Sequence, residues 1–192
     1  MPIKKKQTIG WIGAGRMGYE MAARLARGGA DVLVWNRTRE KAEPLEQYGA
    51  RVADKVSALA ARDIVFCMVS TWKDVKQVVT NLLAGGKEGQ GGKSKPRMLI
   101  ECSSISLEGS AELRELLEKK GIQYLAAPVS GNAKVIKAGR LSFVCSGPKQ
   151  AFDLARPFLD LIAINSSYVG EGELSRIVKI CHNVFLGVVT QS

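Results

Sequence analysis

Gly13, Gly15 and Gly18, in the stretch IGWIGAGRMGYEMAARL, form a G-x-G-x-x-G pattern between an apolar strand-like run and an amphipathic helical one. In that context each glycine has its own physical role. The first makes a tight turn, the second lets backbone approach a pyrophosphate, and the third lets the helix pack on the strand. The start of the helix, Arg16 and Met17, then presents free amides and a positive helix end to phosphates. The chemistry implied is dinucleotide binding. The end of the next strand, VLVWNRT, decides which dinucleotide. A site for NAD usually carries Asp or Glu there to bind both ribose hydroxyls, whereas this chain has Asn36, Arg37 and Thr38. A carboxylate would repel a 2′-phosphate; Arg37 can pair with it, and Asn36 and Thr38 can hydrogen-bond. The expectation is NADP(H) in preference to NAD(H).

Those residues need a scaffold, and the hydropathy pattern supplies one. Short apolar runs (TIGWIG, DVLVWN, ARVA, DIVFCMV, RMLIECS, IQYLAA, LSFVCSG) alternate with helical stretches (MGYEMAARLARGG, REKAEPLEQYG, KVSALAA, WKDVKQVVTNLLAGG, SLEGSAELRELLEKKG, KQAFDLARPFLDLI). This predicts an α/β fold: a Rossmann-type, mostly parallel sheet flanked by helices, over residues 1–170. Residues 171–192 differ. From Glu173 onward an apolar stripe (Leu174, Ile177, Val178, Cys181, Phe185, Val188, Val189) runs at helical spacing. It reads as the first part of a long interdomain helix leading to an all-helical domain that the sequence does not include, and an uncovered stripe of this kind predicts association.

Composition excludes several classes. The chain has 192 residues, 46% hydrophobic and 24% charged, enough for one good core. No apolar run approaches the roughly 20 residues that cross a bilayer, and MPIKKKQ lacks the apolar region of a signal peptide, so a cytoplasmic protein with no membrane partner is expected. Cys67, Cys102 and Cys145 lie in apolar runs and Cys181 in a helical one, without a CxxC pair, which reads as buried, reduced thiols and no metal. The net charge of +10 is concentrated at Lys4–Lys6 and at Lys87, Lys93, Lys95 and Arg97; solvated segments explain it better than nucleic acid does. A basic surface also suits an anionic cofactor and substrate.

Taken in order, IGWIGAGRMGYEMAARL, VWNRT, ECSSIS, APVSGNAKVIKAGRLSFVCSG and KICHN resemble the β-hydroxyacid dehydrogenases, the group containing 3-hydroxyisobutyrate dehydrogenase, tartronate semialdehyde reductase and the glyoxylate/succinic semialdehyde reductases. The resemblance implies that AAPVSGN binds a substrate carboxylate through Ser130, Gly131 and Asn132. Here Ala126 stands where the family often has Asp, and Asn132 replaces a second glycine. It implies that Lys179 exchanges a proton with the substrate oxygen and that Asn183, one helical turn on, hydrogen-bonds substrate. It further implies cofactor contacts from Met68, Val69 and Ser104, the last in place of the family's usual Thr. His182 occupies the first Asn position of the family's K-x-x-N-N and reads as a packing residue or as one that supports the substrate-contacting residues from behind. Gly170 and Gly172 lie farther from the lysine than the family's glycine pair. A lysine with an ordinary pKa would be a poor base at neutral pH, so burial would have to lower it.

The reading is an oxidoreductase moving a hydride between NADP(H) and a small 3-hydroxy acid or its semialdehyde, homo-oligomeric when full length. The alternatives are a glyoxylate/succinic semialdehyde reductase, or a non-catalytic nucleotide-binding scaffold.

Overall fold

The computed structural model describes residues 7–85, 95–131 and 133–190. Asn132 and the basic positions Lys4–Lys6, Lys87 and Lys93 lie outside them. Six parallel strands, β1 (Thr8–Ile12), β2 (Asp31–Trp35), β3 (Arg51–Val52), β4 (Ile64–Cys67), β5 (Met98–Glu101) and β6 (Gln123–Ala126), form one sheet in the order β3-β2-β1-β4-β5-β6. The order reverses between β1 and β4, the point where such sheets open a crevice at their carboxyl ends.

Both faces of the sheet are covered, and for that reason its strands read as continuous apolar runs. On one face Ile9, Trp11, Phe66 and Ile100 pack with α1 (Arg16–Arg27) and α5 (Lys149–Ile162). On the other, Ile12, Val65, Cys67 and Leu99 pack with α2 (Trp72–Ala84), α3 (Leu107–Glu118) and a 3₁₀ segment at Val56–Ala61. Local chemistry starts the helices on the second face: Thr71 and Asp74 form a reciprocal capping box on α2, and Ser106 Oγ accepts from Gly109 N on α3.

A second sheet follows: β7 (Val129–Ser130), antiparallel to β8 (Ser142–Cys145), which pairs in parallel with β9 (Asn165–Tyr168). It joins the first through a bridge between Ala126 and Ser146. The short α4 (Ala133–Lys137) lies between β7 and β8, and α6 (Leu174–Thr190) ends the described chain.

The alternation of strands and helices follows the hydropathy pattern, with five departures: KVSALAA, expected as a helix, is the 3₁₀ segment Val56–Ala61, α4 has no counterpart among the expected helices, and the other three concern REKAEPLEQYG, β7 and β9. REKAEPLEQYG forms two 3₁₀ segments, Arg39–Lys41 and Glu43–Tyr48, because Pro44 has no amide to extend a longer helix. β7 has two residues and too little sequence to show a period. β9 is an edge strand reading NSSY, largely polar because only one side of it pairs.

Candidate functional site

The glycine loop sits where β1 passes into α1, and its three glycines are required for different reasons. Gly13 has φ +99°, and a Cβ there would lie 2.1 Å from the Met68 carbonyl oxygen. A Cβ on Gly18 would lie 2.1 Å from the Gly13 carbonyl, so this residue sets the approach of helix to strand. Gly15 differs: its φ is −71°, and a Cβ would meet nothing within 4 Å among the described residues. The fold itself does not demand glycine at that position, whereas a ligand lying against the backbone would. Gly15 is also the N-cap of α1, without a side-chain cap and with no acid in the first turn. Exposed Gly15 and Arg16 therefore offer an open, positive helix start that fits a pyrophosphate.

Asn36 supports that loop from the end of β2. Its Oδ1 accepts from Ala14 N at 2.8 Å and its Nδ2 donates to the Thr38 carbonyl at 2.7 Å, so the amide shapes the pocket wall. Arg37 is exposed, and among the described residues its ion-pair partner is Asp74 at 3.4 Å, a weak tie that leaves the guanidinium available to an anion. Thr38 is exposed beside it.

The loops after β4 and β5 are joined by Ser103, whose Oγ accepts from Val69 N at 2.9 Å. Met68 is in contact with the glycine turn, and Ser104 is exposed at the same edge. Sequence reasoning missed the group beneath. Glu101, the last residue of β5, is fully buried and accepts from Ser103 N at 2.7 Å through Oε1. Its Oε2 accepts from Arg176 of α6, and Arg176 also donates to the Ser103 carbonyl at 2.5 Å. Burial raises the Glu101 carboxyl above the usual range, against the opposing pull of Arg176 and of the Ser103 hydrogen bonds. A carboxylate at the end of an apolar strand, MLIE, was the available signal.

The start of α6 is fastened at two more points. Ser146 Oγ donates to the Gly172 carbonyl at 2.8 Å and accepts from Ser175 N at 3.1 Å. Arg114 of α3 donates to Glu173 through Nε at 2.9 Å and to the Gly172 carbonyl at 2.7 Å. Lys179 is thereby held, half-buried, with Nζ donating to the Val129 carbonyl at 2.7 Å. Burial first, then repulsion from Arg176, holds its ammonium below the ordinary lysine range, while Glu101 pulls the other way. Val129 adjoins Ser130 and Gly131, the latter at φ +132°. Lys179 and the PVSG segment therefore meet, and contacts run from there through Arg176, Ser103 and Val69 to Met68 and Gly13.

Asn183 is exposed one turn beyond Lys179. His182 is exposed as well, so it is not packed, and so are the apolar residues of the stripe, from Val178 at 40% to Phe185 at 66%. Cys67, Cys102 and Cys145 are buried, the last with its thiol pushed up to about 12 by desolvation, while Cys181 is exposed rather than buried. Among the described residues no group of three His, Cys, Asp or Glu side chains is placed to hold a metal, and no helix is long and apolar enough to cross a membrane.

A family model described as the NAD binding domain of 6-phosphogluconate dehydrogenase matches residues 8–170. The chain is 32% identical over 187 residues to glyoxylate/succinic semialdehyde reductase 2, chloroplastic, of Arabidopsis thaliana, covering 96% of itself and 51% of that protein. The solved structure of Mycobacterium tuberculosis 3-hydroxyisobutyrate dehydrogenase with L-serine aligns with TM-score 0.85 and 30% identity, over 95% of this chain and 60% of that one. An imine reductase from Myxococcus stipitatus in complex with NADP+ aligns with TM-score 0.81 and 26% identity, over 96% and 63%. The chain thus spans about half the length of the Arabidopsis reductase and 60% of the 3-hydroxyisobutyrate dehydrogenase of Pseudomonas aeruginosa, to which it is 32% identical over 184 residues.

Proposed function

We propose that this chain, which belongs to the family of the NAD binding domain of 6-phosphogluconate dehydrogenase, carries the cofactor and proton-transfer groups of an oxidoreductase that moves a hydride between NADP(H) and a small 3-hydroxy acid or its semialdehyde. The observation that carries the reading is Lys179 Nζ on the Val129 carbonyl, one residue from Ser130, on a helix tied by Arg176 and Ser103 to the loops beside Gly13.

NADP(H), when bound, supplies the hydride or accepts it. The chain's residues do the rest. Gly13, Gly15, Gly18 and the first amides of α1, at Arg16 and Met17, hold the pyrophosphate. Arg37 and Thr38 receive the 2′-phosphate, with Asn36 bracing the loop, which gives the preference for NADP(H). Met68, Val69 and Ser104 bound the nicotinamide side of the crevice. Ser130 and Gly131 take the substrate carboxylate; Asn132 belongs to the same segment. Lys179 gives its proton to the carbonyl oxygen during reduction and takes it from the hydroxyl during oxidation. Burial and the Arg176 charge lower its proton affinity, which makes the neutral amine easier to form and the proton easier to give up. Asn183 orients the substrate from the next turn.

A second reading, a glyoxylate or succinic semialdehyde reductase, is favoured by the 32% identity to the Arabidopsis reductase and uses the same groups. The test is NADPH absorbance in the presence of glyoxylate, succinic semialdehyde, or methylmalonate semialdehyde generated in place, with Lys179→Ala alongside. NADPH oxidation lost in the variant, with nucleotide binding intact, is expected. Nucleotide binding without turnover in the wild type favours a scaffold instead.

A further inference from the structure

The Glu101–Arg176 pair is the most deeply buried charge in the described molecule, at 0% and 2% side-chain exposure, and no step above uses it. A buried ion pair is costly to assemble and gains its place only through geometry. Here the geometry is specific. The guanidinium spans the Glu101 carboxylate and the Ser103 carbonyl, the carboxylate's other oxygen holds Ser103 N, and Ser103 Oγ holds Val69 N. Arg176 precedes Lys179 by three residues, so both cations lie on one side of α6.

We propose that Arg176, locked by Glu101 and Ser103, is a positioning residue for Lys179: it docks the first turn of α6 on the loops after β4 and β5 and fixes a permanent positive charge beside the Lys179 ammonium. The inference rests on the reading of Lys179 as the proton-transfer group. A guanidinium does not lose its proton in the working range, so its repulsion is constant, and Glu101 both anchors and partly offsets it. Among the described residues, the charged groups acting on Lys179 are Glu101 at the end of β5 and Arg176 on α6 itself; β7 contributes the neutral Val129 carbonyl. Tyr124 of β6, beside Arg176, is buried with its phenol raised and stays neutral.

The experiment titrates Lys179 directly, by ¹³C NMR of lysine Cε in this chain, assigned with Lys179→Met, in wild type, Arg176→Gln, Glu101→Gln and Arg176→Lys. Removing the cation should raise the Lys179 midpoint and removing the anion should lower it, each by about one pH unit for charges one turn apart in a partly solvated site. Arg176→Lys, which keeps the charge, should stay near wild type. Opposite shifts cannot come from a merely structural role, which would move both variants the same way. Midpoints that do not move, or that move together in folded protein, overturn the proposal. If Arg176→Gln fails to fold, Glu101→Gln and Arg176→Lys decide: a lowered midpoint in the first with an unchanged one in the second sustains it, and any other pattern overturns it. None of these midpoints depends on turnover. The proposal and the reading beneath it therefore fail separately: shifts as expected, with Lys179→Ala as active as wild type, would refute only the latter.

Discussion

Replacing Gly15 and Gly13 by alanine, one at a time, separates what the fold requires of the glycine loop from what a ligand requires. At Gly13 the left-handed φ of +99° costs an alanine about 1–3 kcal/mol, and a Cβ 2.1 Å from the Met68 carbonyl oxygen forces main chain apart for about as much again. For a chain of this size that is a fall in melting temperature of roughly 5–20 °C. At Gly15, φ is −71° and a Cβ meets no atom of the described residues within 4 Å. The poorer N-cap and the reduced freedom of the unfolded chain nearly cancel, leaving a change within about 0.5 kcal/mol, or about 2 °C. The same methyl stands where the pyrophosphate must approach, at about 1–3 kcal/mol of misfit, which weakens NADPH roughly 5–150-fold. Circular dichroism melts and fluorescence titration with NADPH read the two effects. Equal destabilisation of both variants, or wild-type NADPH affinity in Gly15→Ala, would refute the reasoning.

Arg37→Ala should weaken NADPH about 5–30-fold, the loss of about 1–2 kcal/mol from a charge-assisted contact at an exposed site, and leave NADH binding and the melting temperature unchanged, since its tie to Asp74 is weak; equal losses for both nucleotides in a titration would contradict it. Lys179 titrates below the ordinary lysine range in the fold, so between its lowered midpoint and about pH 10.4 the unfolded chain binds more protons, and the cost of charging it is relieved as pH rises. Urea unfolding should then show wild type gaining on Lys179→Met as pH rises through the lowered midpoint toward the ordinary lysine range; a pH-independent difference would contradict it. Arg114→Met removes two hydrogen bonds to Glu173 and one to the Gly172 carbonyl, both partners of the ion pair being 14–15% exposed, and should cost about 2–3 kcal/mol in the same measurement without altering NADPH affinity. A cost under about 0.5 kcal/mol would mean that α6 does not depend on this clamp.

The fold was legible wherever local chemistry and periodicity agree. β1, β2, β4, β5, β6 and β8 are apolar runs of four or five residues bounded by turn residues, and G-x-G-x-x-G marked the one passage from strand to helix where sterics leave no choice at Gly13 and Gly18. β9 was not legible, because an edge strand paired on one side can be polar, and NSSY reads as a loop. The site was legible in its parts and not in its connections. Lys179 and the PVSG segment were both singled out, yet their contact comes from packing between positions 50 residues apart. The Glu101–Arg176 pair joins positions 75 apart, and at that separation nothing local distinguishes a buried arginine from one on a solvated helix face. Asn36 shows the converse case: the sequence offered it to the cofactor, and the structure uses its amide to hold Ala14 and Thr38.

The most direct measurement uses NADPH carrying deuterium at both C4 positions of the nicotinamide, with methylmalonate semialdehyde, glyoxylate or succinic semialdehyde as acceptor, and locates the deuterium in the product by NMR. The account predicts deuterium on the carbon that bears the new hydroxyl with wild-type protein, and a rate lower by about 10²–10⁴ with Lys179→Ala at equal nucleotide occupancy. Deuterium retained in NADPH while the nucleotide is bound, or equal transfer by the variant, would contradict it.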